Sequence, residues 1–385
     1  MAHAPVERHY GMDWLRIAAF SLLIAYHIGM MFVPWGWHIK TQQPVEWLVY
    51  PMLAVNPWRL SLLFLVSGFA SRAMLSKASV SLGGFLRQRT VRLLLPLAVG
   101  IAVIIPPQSW AELRMRGAIE SDFLTFWTGD YFGLSPIDGV MVPTYNHLWF
   151  ILYLFAYTIV LAAILALMPR GLRDQLQSLF DRLLGHPLTW IAAPIAVLVA
   201  IYAALYPADG LGPQIFVGDW YRHALYFFMF AIGFALARAP RVWEAIRKCW
   251  PFALALGLAG YLSAMLDIGG GVDFVVPIVV WATIIQAWGI IAGLIGLADR
   301  FWNKDAKWRN YLALGVFPFY IIHQTIIVVA GYFLIINAFT VTQQFLIVTF
   351  ATLAGCWLFY EIVLRMGPAK AMFGLQHKPA QEAQR

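Results

Sequence analysis

Three histidines, His27, His147 and His323, stand in stretches otherwise so apolar that an ionisable side chain there is costly. An imidazole titrates near neutrality, so it can take up or hand on a proton at physiological pH, and these positions suit general acid–base chemistry. The simpler reading is that each is a structural histidine, hydrogen-bonded to a neighbouring helix. His27 follows Asp13 by 14 residues, about 21 Å along an α-helix. His147 opens an apolar run, and His323 lies 13 residues after Asn310, where another begins. These spacings place all three at a similar level in the outer half of a bilayer, and that agreement in depth favours a shared site. A fourth, His223, follows Tyr221 and Arg222 and reads as structural or interfacial.

A second constellation is Arg87, Arg89 and Arg92 in RQRTVRLLLP. Arg89 and Arg92 are spaced i, i+3 and share a helix face. Two guanidinium groups side by side suit bidentate binding of phosphate, so an anionic ligand is expected there. Anchoring of a membrane helix by basic residues is the alternative, but it leaves Arg92, deeper in the apolar run, unexplained. Asp13 and Arg16 are also spaced i, i+3, at the start of the first apolar helix. There Asp13 can cap the helix and Arg16 can snorkel, as a structural ion pair. Glu361 is expected to pair with Arg365 one turn on. The two cysteines, Cys249 and Cys356, imply neither a disulfide framework nor a metal site.

The elements that position these residues follow from composition. Of the 385 residues 61% are hydrophobic and 12% charged, and the mean hydropathy is +0.71, outside the range of a soluble globular domain. A helix needs about 20 mainly apolar residues to cross a bilayer. Such runs fall at about 14–36, 50–75, 90–106, 146–168, 188–206, 220–238, 250–267, 273–297, 310–333 and 342–364. Pro96 interrupts the third run and Pro318 the ninth. Trp35, Trp37, Trp47, Trp58, Trp127 and Trp149 read as interfacial anchors.

Loop charge orients the spans. Arg72, Lys77, Arg87 and Arg89 follow the second run; Arg170, Arg173 and Arg182 the fourth; Arg238, Arg241, Arg247 and Lys248 the sixth; Lys304, Lys307 and Arg309 the eighth. The last stretch adds Arg365, Lys370 and Lys378, whereas the other loops are mainly acidic, with Glu112, Glu120, Asp122, Asp130 and Asp138 after the third run and Asp267 and Asp273 after the seventh. Basic loops stay on the cytoplasmic side. The expected fold is therefore all-α, a polytopic transmembrane bundle of about ten helices with both termini inside. It forms one membrane domain over residues 1–366, with a short cytoplasmic tail over 367–385. The net charge of +8 is accounted for by topology and anionic lipid, so nucleic acid is not an expected partner. No internal repeat is visible.

DWLRIAAFSLLIAYH, with Asp13, Arg16 and His27, resembles the first helix of the integral-membrane acyltransferase-3 family, where an Asp-x-x-Arg motif precedes a histidine. The resemblance continues through FLVSGF at Phe64 to Phe69, RTVR at Arg89 and Arg92 followed by a proline, HLWFILYL from His147, FFMFAIGF from Phe227, and FPFYIIH ending at His323. Within the family the chain is similar to periplasmic-glucan succinyltransferases. The resemblance implies an O-acyltransferase of the bacterial cytoplasmic (inner) membrane. It would move an acyl group from cytoplasmic acyl-CoA to a hydroxyl of an extracytoplasmic or membrane-associated glycan. His27 would be the general base, with a transient acyl-histidine as a variant. Arg89 and Arg92 would hold the CoA phosphates, and His147, His323, Asp13 and Arg16 complete the expected substrate-binding set. No metal and no permanently bound cofactor is expected, acyl-CoA being the donor substrate, and the need for a separate extracytoplasmic protein partner is left open. A secondary transporter of a sugar or polyanion is the alternative reading, since intramembrane histidines and broken helices also describe a permeation path. A non-catalytic partner in glycan assembly is a third.

Overall fold

A computed structural model of the chain describes residues 9–77, 80–212, 215–270 and 276–375. Among these residues there are thirteen α-helices: α1 (Tyr10–Met30), α2 (Val49–Leu75), α3 (Leu82–Val99), α4 (Pro106–Met115), α5 (Phe123–Thr128), α6 (Trp149–Leu167), α7 (Arg170–Leu183), α8 (Pro187–Leu205), α9 (Trp220–Leu236), α10 (Pro240–Gly270), α11 (Val276–Phe301), α12 (Lys307–Ile336) and α13 (Val341–Arg365). Among the described residues eight helical segments are long and apolar enough to cross a membrane. The first and sixth expected spans fall on α1, whose Asp13, Arg16 and His27 dilute its apolar character, and on α9, which has 17 residues. The chain is an all-α polytopic membrane protein. Asp273 and Lys378 lie outside the described residues.

Local sequence sets several helix starts. Thr340 accepts from the Gln343 backbone N–H while the Gln343 side chain reaches back, a capping box that opens α13. Asp219 caps α9 by accepting from the backbone N–H of Arg222, and Asp122 caps α5 by accepting from those of Leu124 and Thr125.

The third expected span differs from its prediction. Instead of ending near residue 106 after a break at Pro96, the helical path runs from Leu82 to Met115. The irregularity is a π-helical turn over Gly100–Ile104, just before Pro106. A π turn releases carbonyls from the regular ladder, and side chains take them up. Trp127 Nε1 donates to Ala102 O at 2.8 Å, Tyr131 Oη to Ile101 O at 2.7 Å and Thr325 Oγ1 to Ile104 O at 2.8 Å. Burial pushes the Tyr131 phenol up to about 12, so it keeps its proton and remains a donor at neutral pH.

The chain divides into two compact units. One comprises the described residues up to Ala19, Tyr50–Leu86 and Ala156–Ala313. It relies on small residues where helices meet: a Cβ on Gly289 of α11 would lie 2.7 Å from Gly257 Cα of α10. Such close approach gains dispersion contacts that apolar lipid cannot offer. Polar side chains join in, with Gln286 Nε2 donating to the Leu53 and Ala54 carbonyls at 3.1 and 3.0 Å. In the same unit α7 has no buried residue and exposes Leu172, Leu176, Leu179 and Leu183 beside Arg170, Arg173 and Arg182, the composition of a helix lying in a membrane interface.

The other unit comprises Phe20–Val49, Arg87–Phe155 and the described residues from Leu314. Its core gathers Ile28, Met31 and Phe32 with Ile327, Val328 and Tyr332. After α4 the chain makes α5 and a hairpin of β1 (Ser135–Ile137) with β2 (Val140–Val142), packed through Leu113, Phe126, Tyr131 and Val142. The hairpin turns through Asp138 and Gly139, both at positive φ, which an Asp-Gly pair tolerates. Gly367–Phe373 forms a 3₁₀ helix whose Phe373 ring meets Phe359 edge-on at 5.1 Å, and residues 376–385 lie outside the described ones.

Candidate active site

His27, in the last turn of α1, His147, just ahead of α6, and His323, midway along α12, meet in the second unit. His27 Nδ1 lies 2.8 Å from His323 Nε2, and His323 Nδ1 lies 2.7 Å from the Tyr320 carbonyl. A carbonyl only accepts, so His323 donates from Nδ1, and a neutral His323 then accepts at Nε2. His27 must therefore donate from Nδ1, which places its basic lone pair on Nε2. His147 Nε2 donates to Ile321 O at 3.0 Å, and the His147 and His323 rings stand edge to face at 5.1 Å. The Tyr320 hydroxyl donates to the His147 carbonyl, closing the group. His323 is completely buried.

The geometry adds residues that the sequence left aside. His38, in the connection after α1, donates from Nδ1 to Glu112 Oε2 at 2.5 Å. Arg116 holds the other oxygen of the same carboxylate. Glu112, expected in an acidic loop, is instead a buried residue of α4; the π turn carries the helix far enough to bring it in. Gln324 Nε2 donates to His38 Nε2 at 2.9 Å and to Gln108 Oε1 at 3.1 Å. Gln108 Nε2 then donates to Thr325 Oγ1 at 2.6 Å, and that hydroxyl ends on the π-turn carbonyl of Ile104. Gln108 and Glu112 are one turn apart on α4, and Gln324 directly follows His323, so spacing alone could have flagged both pairs. Trp37 joins the two histidine groups: its ring is parallel to His27 at 6.4 Å and meets His38 at 5.4 Å. Trp37 and Trp127 thus serve the interior, not the interfacial belt expected of them, and Trp58 and Trp149 are buried.

Arg89 and Arg92 lie on α3 in the same unit, Arg89 buried, Arg92 half-buried and the neighbouring Arg87 exposed. A basic residue that only anchors a helix keeps its head in water, so the burial of Arg89 goes beyond anchoring. Asp13 and Arg16 belong to the first unit, among other partners. Asp13 Oδ2 binds Arg309 Nη1 at 2.6 Å, whereas Arg16 stands 3.8 Å from Asp13 and donates to the Ala313 carbonyl at 3.4 Å. The buried Arg309 is also held by Asp305 at 2.9 Å and covers the Tyr10 ring. His223 bonds the Phe216 carbonyl at 2.6 Å and the Tyr157 hydroxyl at 3.3 Å, and Glu361 pairs with Arg365 at 3.1 Å.

This arrangement can orient an imidazole as a base inside an apolar bundle and set a cationic pair on a separate helix. Comparison with known proteins bears on what it serves. The chain is similar to the glucans biosynthesis protein C of Escherichia coli O1:K1 and of Escherichia coli O157:H7 (strain EC4115), 26% identical to each over 161 residues. The match spans 41% of this chain and 39% of the relative's length. No solved structure matches. The acyltransferase domain model of the acyltransferase-3 family matches residues 9–361, from just ahead of α1 to within about a turn of the end of α13, so the chain belongs to that family.

Proposed function

We propose that the protein is a membrane O-acyltransferase that moves an acyl group from cytoplasmic acyl-CoA to a hydroxyl of an extracytoplasmic or membrane-associated glycan. The observation that carries this reading is the ordered pair His27–His323, which puts a basic lone pair on His27 Nε2. Membership of the acyltransferase-3 family supports acyl transfer, and the relatives' name, glucans biosynthesis protein C, supports a glycan acceptor.

In this mechanism His27 Nε2 takes the proton of the sugar hydroxyl as its oxygen attacks the thioester carbonyl. The C–S bond breaks as the tetrahedral intermediate collapses, and the departing thiolate takes the proton back from the imidazolium. His323 accepts the Nδ1–H of His27 throughout, fixing the tautomer and sharing the transient positive charge, the role a carboxylate plays in a serine-protease triad. His147 fixes the neighbouring stretch of α12 through the Ile321 carbonyl. Arg89 and Arg92 hold the CoA phosphates at the cytoplasmic side, leaving the pantetheine arm to carry the thioester toward His27. Basic-loop orientation supports a bacterial inner-membrane protein with both termini inside. Asp13 and Arg16 stabilise helix starts through Arg309 and the Ala313 carbonyl.

The test is transfer in proteoliposomes of known orientation. Radiolabelled acyl-CoA supplied at the cytoplasmic face should label a glucan supplied at the other face. Solute crossing without any label transfer would overturn the reading in favour of a transporter.

A further inference from the structure

The first unit contains two adjoining cavities that the acyl-transfer mechanism does not use. One, of 380 Å³, is lined by Arg72 at the end of α2, Arg170 and Arg173 in the first turn of α7, and Arg238 just after α9. Among the described residues Asp174 is its one lining carboxylate, and none of the four guanidinium groups is in a salt bridge. Asp174 offsets only one of the four charges, and Arg72 is opposed by Arg238 and Arg173, so the cluster is stable only with an anion or strong hydration nearby. Two of the guanidinium groups are held in place: Arg173 Nε donates to the Met168 carbonyl at 2.8 Å, and Arg72 lies over the Phe234 ring at 4.7 Å. The N-terminus of α7 opens beside them without a side-chain cap, adding unsatisfied N–H groups of the same polarity.

The second cavity, of 420 Å³, is almost wholly apolar and runs between α6, α8 and α9 past Leu161, Ile164, Val197, Phe227 and Ala231. Arg72, Leu165, Arg173 and Phe234 line both cavities, so the basic chamber is the mouth of the apolar one. An ordinary lipid-facing groove has no such mouth. A soluble phosphate compound fits the first cavity and leaves the second empty, whereas a neutral lipid fits the second and leaves the four arginines with Asp174 as their one lining carboxylate.

We propose that this composite pocket binds one anionic phospholipid, its phosphate held by Arg72, Arg170, Arg173 and Arg238 and one acyl chain lying between α6 and α9. The amphipathic α7, with leucines on one side and arginines on the other, forms the lip that holds the headgroup at the membrane surface. Its lining residues all belong to the first unit, whereas the histidine group, Arg89 and Arg92 belong to the second, and the proposal stands or falls independently of the acyl-transfer mechanism.

Native mass spectrometry of the delipidated protein, titrated with dioleoyl phosphatidylglycerol and dioleoyl phosphatidylcholine, tests it. Wild type should hold one phosphatidylglycerol in preference to phosphatidylcholine by roughly tenfold to a hundredfold, given the attraction of each basic residue to an anionic headgroup. The preference should collapse in R170Q/R173Q/R238Q, and A231W should weaken retention of both lipids by filling the chain groove. Should the triple variant fail to fold, salt serves on the wild type: raising ionic strength should erode the preference while leaving phosphatidylcholine binding unchanged. Equal retention of the two lipids, or a preference indifferent to both salt and the arginines, would overturn the proposal. So would displacement of the lipid by free coenzyme A or inorganic phosphate at equal concentration, which would make the chamber a soluble-phosphate site.

Discussion

His27 donates a hydrogen bond from Nδ1–H to His323 Nε2 at 2.8 Å, and His323 is itself held by the Tyr320 carbonyl at 2.7 Å. The bond decides which nitrogen of His27 is basic, so removing His323 should leave the base in place but free to adopt the wrong tautomer. His323→Ala is expected to lower kcat by roughly a hundredfold with little change in KM for acyl-CoA, the mark of an interaction that acts in the transition state. Steady-state kinetics of the purified variant, with its melting curve as a control for folding, check this.

The arginine pair should show the opposite pattern. Loss of a charge-assisted bidentate contact to phosphate removes binding that ground and transition states share. Arg89→Gln with Arg92→Gln is expected to raise KM for acyl-CoA by about tenfold or more while kcat holds within a few fold. Normal CoA affinity in the double variant, measured by calorimetry, would contradict the assignment.

Glu112 binds both His38 and Arg116. Glu112→Ala leaves His38 and Arg116 facing an emptied buried position and releases the chain that runs through Gln324 and Gln108. A loss of about 1–2 kcal/mol of stability is expected, from the hydrogen bonds of the buried carboxylate, since Arg116 itself is exposed and can turn to water. Glu112→Gln should recover part of it, which a comparison of thermal midpoints will show.

Asp13 bears on stability through Arg309. Because Asp305 still holds the Arg309 guanidinium, Asp13→Asn should cost only about 1–2 kcal/mol and leave KM for acyl-CoA unchanged. A large KM effect would restore Asp13 to the donor site.

Lys40 folds back to donate to the Met30 and Val33 carbonyls, and burial lowers its pKa to about 8 from 10.5. Between these two values the unfolded chain holds a proton that the folded one has released, so stability should rise as pH increases through that window. Melting temperatures of wild type and Lys40→Met measured from pH 7.5 upward, a range chosen to bracket roughly that pKa, should show the upward trend only where Lys40 is present.

What the sequence conveyed depended on whether a feature was carried by composition or by tertiary contact. Apolar run length placed the membrane helices, and residue counting from helix starts brought His27, His147 and His323 to one level, because helical rise is constant. The His38–Glu112 pair was hidden for two reasons. Glu112 stood among acidic neighbours that read as a loop, and the π turn that continues the helix to Met115 has no distinctive signal beyond Gly100 and Pro106. Asp13 was matched with Arg16, its neighbour in sequence, while its short bond is to Arg309, 296 residues away. The tryptophans were assigned to the membrane interface by type, yet Trp37 and Trp127 are committed to the site and the π turn by contacts that composition cannot encode.

In the proposed mechanism His27 Nε2 is the base of the acyl transfer. Single-turnover transfer of radiolabelled acyl groups from acyl-CoA to a glucan acceptor, by wild type and His27→Ala at equal folded concentration, tests it most directly. Wild type should label the glucan, and His27→Ala should do so at a rate lower by roughly a thousandfold. Transfer by His27→Ala at the wild-type rate would contradict it.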